Sequence, residues 1–299
     1  MSSIVSLFAQ KDRRRGRGGF SMIEMIGVLA IVSILAGMVG PNLIRRVIES
    51  NAAREAKTLQ TLSDGLSSHI QAWQTIPGSA SWVTNVSSSL GLSPTDVAYS
   101  DPANPAGSGR VYLIHPAFTP SNGTDPLFTS SASGSVAPTN ARILIMSCTK
   151  RGLTIPVTSG KAANTAGNRN RFDNIWNWSL NPFTKAPPTG WPAAWNGNGH
   201  HLHVQRINLA PHFFRLTVSN PSFPSEIPFA QFNQNPTFAF DVTNAVDAYY
   251  LRGTVVRFYR HDTPYTSPPA NPDELNLVHT VQGPANFIYD GIPSRWRLQ

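Results

Sequence analysis

Cysteine is nearly absent: Cys148 stands alone in 299 residues, which excludes an internal disulfide and every CxxC-type zinc or redox site. Charge is also sparse, at 13% of residues. No G-x-S-x-G elbow, Walker loop or HExxH helix is present, so no known catalytic motif argues for an enzyme. No internal repeat is evident. What the chain has instead is 25 prolines, 22 glycines and 40% hydrophobic residues. That mix predicts a packed core carrying long Ser, Asn, Thr, Gly and Pro loops, and it excludes disorder throughout. The formal charge of +8 invites a nucleic-acid or membrane partner. However, Lys11, Arg13, Arg14, Arg15 and Arg17, less Asp12, carry +4 of it. The remaining +4 is ordinary, and nucleic acid is not the expected partner.

The first nineteen residues end in Arg15-Gly16-Arg17-Gly18-Gly19, and an apolar run from Phe20 to Val39 follows, broken by charge only at Glu24. At about 1.5 Å per residue this run is long enough to cross a hydrocarbon layer of ~30 Å. Basic residues before it predict a cytoplasmic N-terminus and an external body. A secretory signal fits less well, because the run is long for an h-region, no A-x-A site follows, and Glu24 lies inside it. A plain signal anchor leaves Gly19 and Glu24 without a reason. A carboxylate in hydrocarbon costs roughly 2.5 to 3.5 kcal/mol and calls for a partner or a proton. Alternatively, Glu24 sits near a helix N-terminus because the macrodipole favours negative charge there. Ser33 and Gly37 form a small-xxx-small pair that lets helices approach closely in lipid, and ordinary membrane-helix glycine content accounts for them almost as well.

Gly19-Phe20-Ser21-Met22-Ile23-Glu24 followed by an apolar helix resembles the leader of type IV prepilins and type II secretion pseudopilins. The resemblance covers about thirty residues after the leader. It implies cleavage by a prepilin peptidase between Gly19 and Phe20, methylation of the new Phe20 amine, and no cofactor. It also implies assembly with other pilin or pseudopilin subunits on an inner-membrane platform, into a periplasmic or cell-surface filament. Before assembly, membrane lipid would surround the helix. The freed amine of Phe20 stands four residues before Glu24, within helical reach, so the two charges can pair in one subunit or between neighbours. Gly40 and Pro41, with Ser33 and Gly37, resemble the stretch where pilin helices loosen in the filament. Pro41 removes a backbone hydrogen bond and predicts a kink or a loosened turn.

Beyond Pro41, apolar residues from Ile44 to Trp73 fall mostly three or four apart and predict one amphipathic helix, reaching roughly 80 Å from Phe20 to Gln74. A coiled coil lacks the sustained heptads it would need. The expected organisation is a leader at 1–19, a transmembrane and stalk helix at 20–75, and a Ser/Pro/Gly-rich connection at 76–140. A β-rich head follows at 141–299. Within the connection, Ser93-Pro94 reads as a helix start and 110–115 as a strand. Strands are predicted at 142–147, 152–158, 201–209, 213–218, 237–242, 251–259 and 286–289. The fold class is α+β, a pilin-like helix packed on an antiparallel sheet. Pilins often close a C-terminal loop with a disulfide, which one cysteine cannot do.

Weaker constellations remain. On a strand, His201 and His203 would share a face and offer two metal ligands, although solvent-facing or satisfied histidines explain them as well. Asp241, Asn244 and Asp247 offer oxygen ligands, and some pseudopilins bind calcium in a C-terminal loop, but the spacing is not that of an EF-hand. Trp176, Trp178, Trp191 and Trp195 among Asn, Gly and Pro form either loop core or aromatic faces for a glycan or a base. On the second reading the chain is a filament-tip binding module that recognises glycan, DNA or a secreted protein. Cys148 ends an apolar strand-like run and is expected to be buried.

Overall fold

The computed structural model describes residues 21–103, 109–118, 128–129, 138, 140–220, 228–233, 238–239, 245–259, 275–291 and 294–299. The chain divides into two units, 1–50 and 51–299, and helix α1 (Met22–Trp73) supplies residues to each. In the first unit the described apolar side chains of α1 are exposed, from Met22 at 83% to Ile48 at 41%. Gly40 and Pro41 lie inside α1, which is helical through both. A helix that runs on through Pro41 is compatible with a kink or a loosened turn there, since proline's missing N–H removes one bond without forcing the other turns apart.

In the second unit the chain continues through α2 (Trp82–Leu90), α3 (Pro94–Ala98), β1 (Val111–Ile114), β2 (Phe128–Thr129) and β3 (Arg142–Cys148). Then come β4 (Gly160–Lys161), α4 (Ala166–Trp176), β5 (Leu202–Asn208), β6 (Phe213–Ser219), β7 (Phe229–Phe232) and β8 (Phe238–Ala239). It closes with β9 (Val246–Leu251), β10 (Val255–Tyr259), β11 (Leu275–Thr280), β12 (Ala285–Gly291) and β13 (Ser294–Leu298). The fold is α+β. Ser93 caps α3 by accepting a hydrogen bond from Asp96 N at 3.2 Å, with Pro94 in the first turn.

The first sheet has the order β4-β1-β3-β5, antiparallel except for the β1/β4 pair. Its central strand β3 is covered on both faces, which is why its sequence is a continuous apolar run. Ile143 and Ile145 face a core built by Leu59, Leu62, Leu66 and Ile70 of α1 together with Trp82 and Val86 of α2. Leu144 and Met146 face Phe172 and Ile175 of α4 on the other side. A helix stripe at three- and four-residue spacing therefore meets one face of the sheet, as the periodicity predicts.

The remaining strands form two sheets, β13-β12-β6-β9-β2 and β11-β10-β7-β8. They share a second core in which Phe232 stacks on Tyr250 at 4.8 Å and Phe258 meets Phe287 at 4.5 Å and Trp296 at 4.9 Å. A buried glutamine ties this region to α1. Gln74, at φ +54, donates from Nε2 to Gln71 O and Arg252 O at 2.8 and 2.9 Å, and its Oε1 accepts from Thr254 Oγ1 at 2.9 Å.

Two predicted strands come out differently. Residues 152–158 form no strand: Gly152 turns at φ +75, Pro156 lacks a ladder donor, and the apolar side chains Leu153, Ile155 and Val157 pack from an irregular loop. Residues 251–259 are divided by a turn at Arg252–Thr254, where Gly253 takes φ +91. Of the predicted strand at 237–242, Phe238–Ala239 is a strand and the rest lies outside the described residues.

Candidate functional site

The first half of α1 concentrates features that nothing else described in its own unit uses. Its apolar side chains meet nothing in the first unit, and the helix is long and apolar enough to cross a membrane. At its start the backbone N–H and the hydroxyl of Ser21 both donate to Glu24 Oε2 at 2.8 Å, and Glu24 N donates back to Ser21 Oγ at 3.3 Å. This is a capping box, with two helix-end donors satisfied reciprocally. It holds the Glu24 carboxylate at the end of the helix adjoining Phe20. Ser21 is the residue the sequence reading passed over, although the S-x-x-E spacing before an apolar run was its signal. Gly19 and Phe20 lie outside the described residues.

Further along the helix, Ser33 Oγ donates to Leu29 O at 2.7 Å, hiding its hydroxyl within its own helix. A methyl group added at Gly37 would meet nothing within 4 Å, so neither its backbone nor the first unit requires the glycine. A small-residue face free of internal contacts is available to another helix.

The other predicted constellations fall in the second unit. His203 lies on β5, whereas His201 ends the short 3₁₀ turn before it. They nevertheless converge on one hydroxyl, with Thr149 Oγ1 3.5 Å from His201 Nδ1 and 3.4 Å from His203 Nε2. Burial, then the neighbouring His200 and Lys150, pushes the His201 pKa down to about 4, and burial lowers that of His203. Among the described residues no group of three metal-ligating side chains forms. Asp247 makes a two-pronged ion pair with Arg215, at 2.9 and 2.8 Å, while Asp241 and Asn244 lie outside the described residues. Cys148 is buried.

The depressed histidines set a pH dependence. An unfolded imidazole takes up its proton near pH ~6.5, whereas folded His201 does so only near 4. Between those values the unfolded chain binds more protons, so stability rises with pH through the window and is lost on acidification. Thermal unfolding of the detergent-solubilised chain is expected to show a melting temperature that falls as pH drops below about 6.5. His201→Asn should flatten that slope, and an unchanged slope would remove His201 from the account.

Trp176, Trp178 and Trp191 are half-buried. Trp195 is buried, donates to Thr154 O at 3.0 Å and meets Trp191 edge-on at 4.7 Å, while Trp178 donates to Ala186 O at 3.1 Å. They form the core of the loop between α4 and β5 rather than open stacking faces. A polar cleft of about 530 Å³ lies between α1, α3 and the end of β3, lined by Arg54, Asp96, Asp101, Lys150 and Arg151. At its floor Glu55 and Arg110 form a buried ion pair with both contacts at 2.8 Å. Arg110 also donates to the carbonyls of Asp96 and Val97 at the end of α3. The charges on that floor are therefore committed to the fold.

Comparison with known proteins agrees with the geometry of the N-terminal segment. Residues 14–40 match the prokaryotic N-terminal methylation motif, a span that begins in the basic leader and ends just short of Pro41. No curated protein and no solved structure matches the chain. The chain thus carries a type IV pilin-like, prepilin-type N-terminal segment. Such a segment implies processing by a prepilin peptidase and assembly with other pilins.

Proposed function

We propose that this chain is a prepilin-like subunit, major or minor, of a type IV pilus-like fibre or a type II secretion pseudopilus, and that its role is structural rather than enzymatic. The observation that carries the reading is an apolar helix with no partner in its own unit, beginning at a capped carboxylate immediately behind Gly19-Phe20. Exposed to water, so large an apolar surface is strongly unfavourable, and lipid followed by neighbouring helices removes it. Cleavage after Gly19 strips the basic leader and leaves the Phe20 amine beside Glu24. The pair then enters the apolar environment together, at far lower cost than either charge alone. In this reading the N-terminus faces the cytoplasm and the body lies outside the inner membrane, where an assembly platform extracts the subunit.

N-terminal sequencing of the protein isolated from cells tests it. The mature chain should begin at a methylated Phe20, and Gly19→Val should leave a precursor heavier by the whole leader. A chain that retains Met1, or is trimmed elsewhere, would overturn the reading.

A further inference from the structure

Among the described residues of the second unit the most exposed large apolar side chain is Phe183, at 92%, above even Met22 of the first unit at 83%. Leu180, three residues earlier, is 43% exposed. The loop that presents them is built to hold its shape. Asn181 Oδ1 accepts from Phe183 N and Thr184 N at 2.9 and 3.2 Å, and Asn181 O accepts from Lys185 N at 2.9 Å. Lys185 sits at φ +51, Trp178 Nε1 clamps Ala186 O, and Gly199 N donates to Lys185 O at 2.8 Å. Gly199 packs so closely there that an added methyl would fall 2.6 Å from Ala186 O. Ordering this tip has already been done by the fold, so insertion of Phe183 into a partner costs little conformational entropy.

Charge selects the partner. From Asn174 to Ser225 the sequence contains no acidic residue, while Lys185 stands two positions from Phe183. Arg206 braces the base of the loop by donating to Trp176 O and Trp178 O, and Lys150 reaches Asn198 Oδ1 at 2.9 Å. The tip is thus apolar and its surroundings are cationic. The indole N–H of Trp178 is bonded to Ala186 O within the loop and that of Trp195 to Thr154 O outside it, and Trp191 packs edge-on against buried Trp195, so these rings form no row of open faces for successive bases or sugars.

We infer that the loop 177–199 is a membrane-contacting wedge, in which Phe183 and Leu180 enter the headgroup region of an anionic bilayer and Lys185 pairs with its phosphates. One apolar wedge binds a membrane weakly by itself. Held at the same bilayer by α1, it acts at high effective concentration. The inference rests on α1 being a membrane anchor and not on filament assembly.

The test uses the full chain carrying Thr184→Cys, labelled with a polarity-sensitive fluorophore, Cys148 being buried. The chain is reconstituted into vesicles of phosphatidylcholine, with or without phosphatidylglycerol, and flotation reports anchoring separately from the probe. Blue-shifted emission and quenching by a lipid-borne nitroxide are expected in phosphatidylglycerol vesicles. Phe183→Ser should abolish both, and Lys185→Glu should weaken quenching about fivefold or more, with flotation unchanged in each. Emission that ignores phosphatidylglycerol, or persists in Phe183→Ser, would overturn the wedge. So would a stronger response of the detergent-solubilised chain to a single-stranded oligonucleotide than to the anionic vesicles. Loss of flotation itself would count against the anchoring reading instead.

Discussion

Arg110→Ala should destabilise the body by about 3 to 5 kcal/mol, read as a lower midpoint in urea unfolding of the detergent-solubilised chain. The side chains of Arg110 and Glu55 are 3% and 6% exposed, and both Arg110 nitrogens facing the carboxylate donate at 2.8 Å. Removing the guanidinium leaves a carboxylate with no counter-charge and strips the donors from two carbonyls at the end of α3. Replacing both partners together, as Glu55→Met with Arg110→Met, should cost much less than the single truncation, because no stranded charge remains. A double variant as unstable as Arg110→Ala would mean that the carbonyl contacts, rather than the ion pair, set the loss.

Glu24→Val is expected to leave cleavage after Gly19 intact while reducing entry into filaments beside wild-type subunits by about tenfold or more, measured by immunoblot of sheared filament and membrane fractions. The magnitude follows from the cost of placing an uncompensated charge in hydrocarbon, here the Phe20 amine. Glu24→Gln separates two roles. A glutamine keeps an oxygen for Ser21 and so preserves the cap, but it carries no charge. If Gln behaves as Val does, the pairing of charges governs assembly; if Gln behaves as wild type, the cap governs it.

The N-terminal segment was legible because its information is local. Glycine, carboxylate and apolar run follow one another, and each has a physical consequence without any distant partner. The helix stripe from Leu59 to Ile70 was legible for the same reason, and β3 announced itself as a fully buried strand. What stayed hidden depends on pairings far apart in sequence. Glu55 and Arg110 have no local signal linking them. Helix α4 is rich in Asn and Arg, and only Phe172 and Ile175 are buried, too few to give a clear period. Residues 152–158 gave the opposite error, since an alternating apolar pattern packs equally well from a loop when a tryptophan donates to its backbone. The sequence reads as strand from His201 because the 3₁₀ turn before β5 is too short to leave a periodic mark.

The knot of hydrogen bonds at Gln74 joins positions 178 and 180 residues apart. The end of α1 is therefore completed by a turn that lies far along the chain from it. A chain truncated before Arg252 lacks the acceptor that this amide uses, so its helix terminus is expected to fray. Copies truncated there would present a loose helix end to proteases, whereas copies that carry the turn would not.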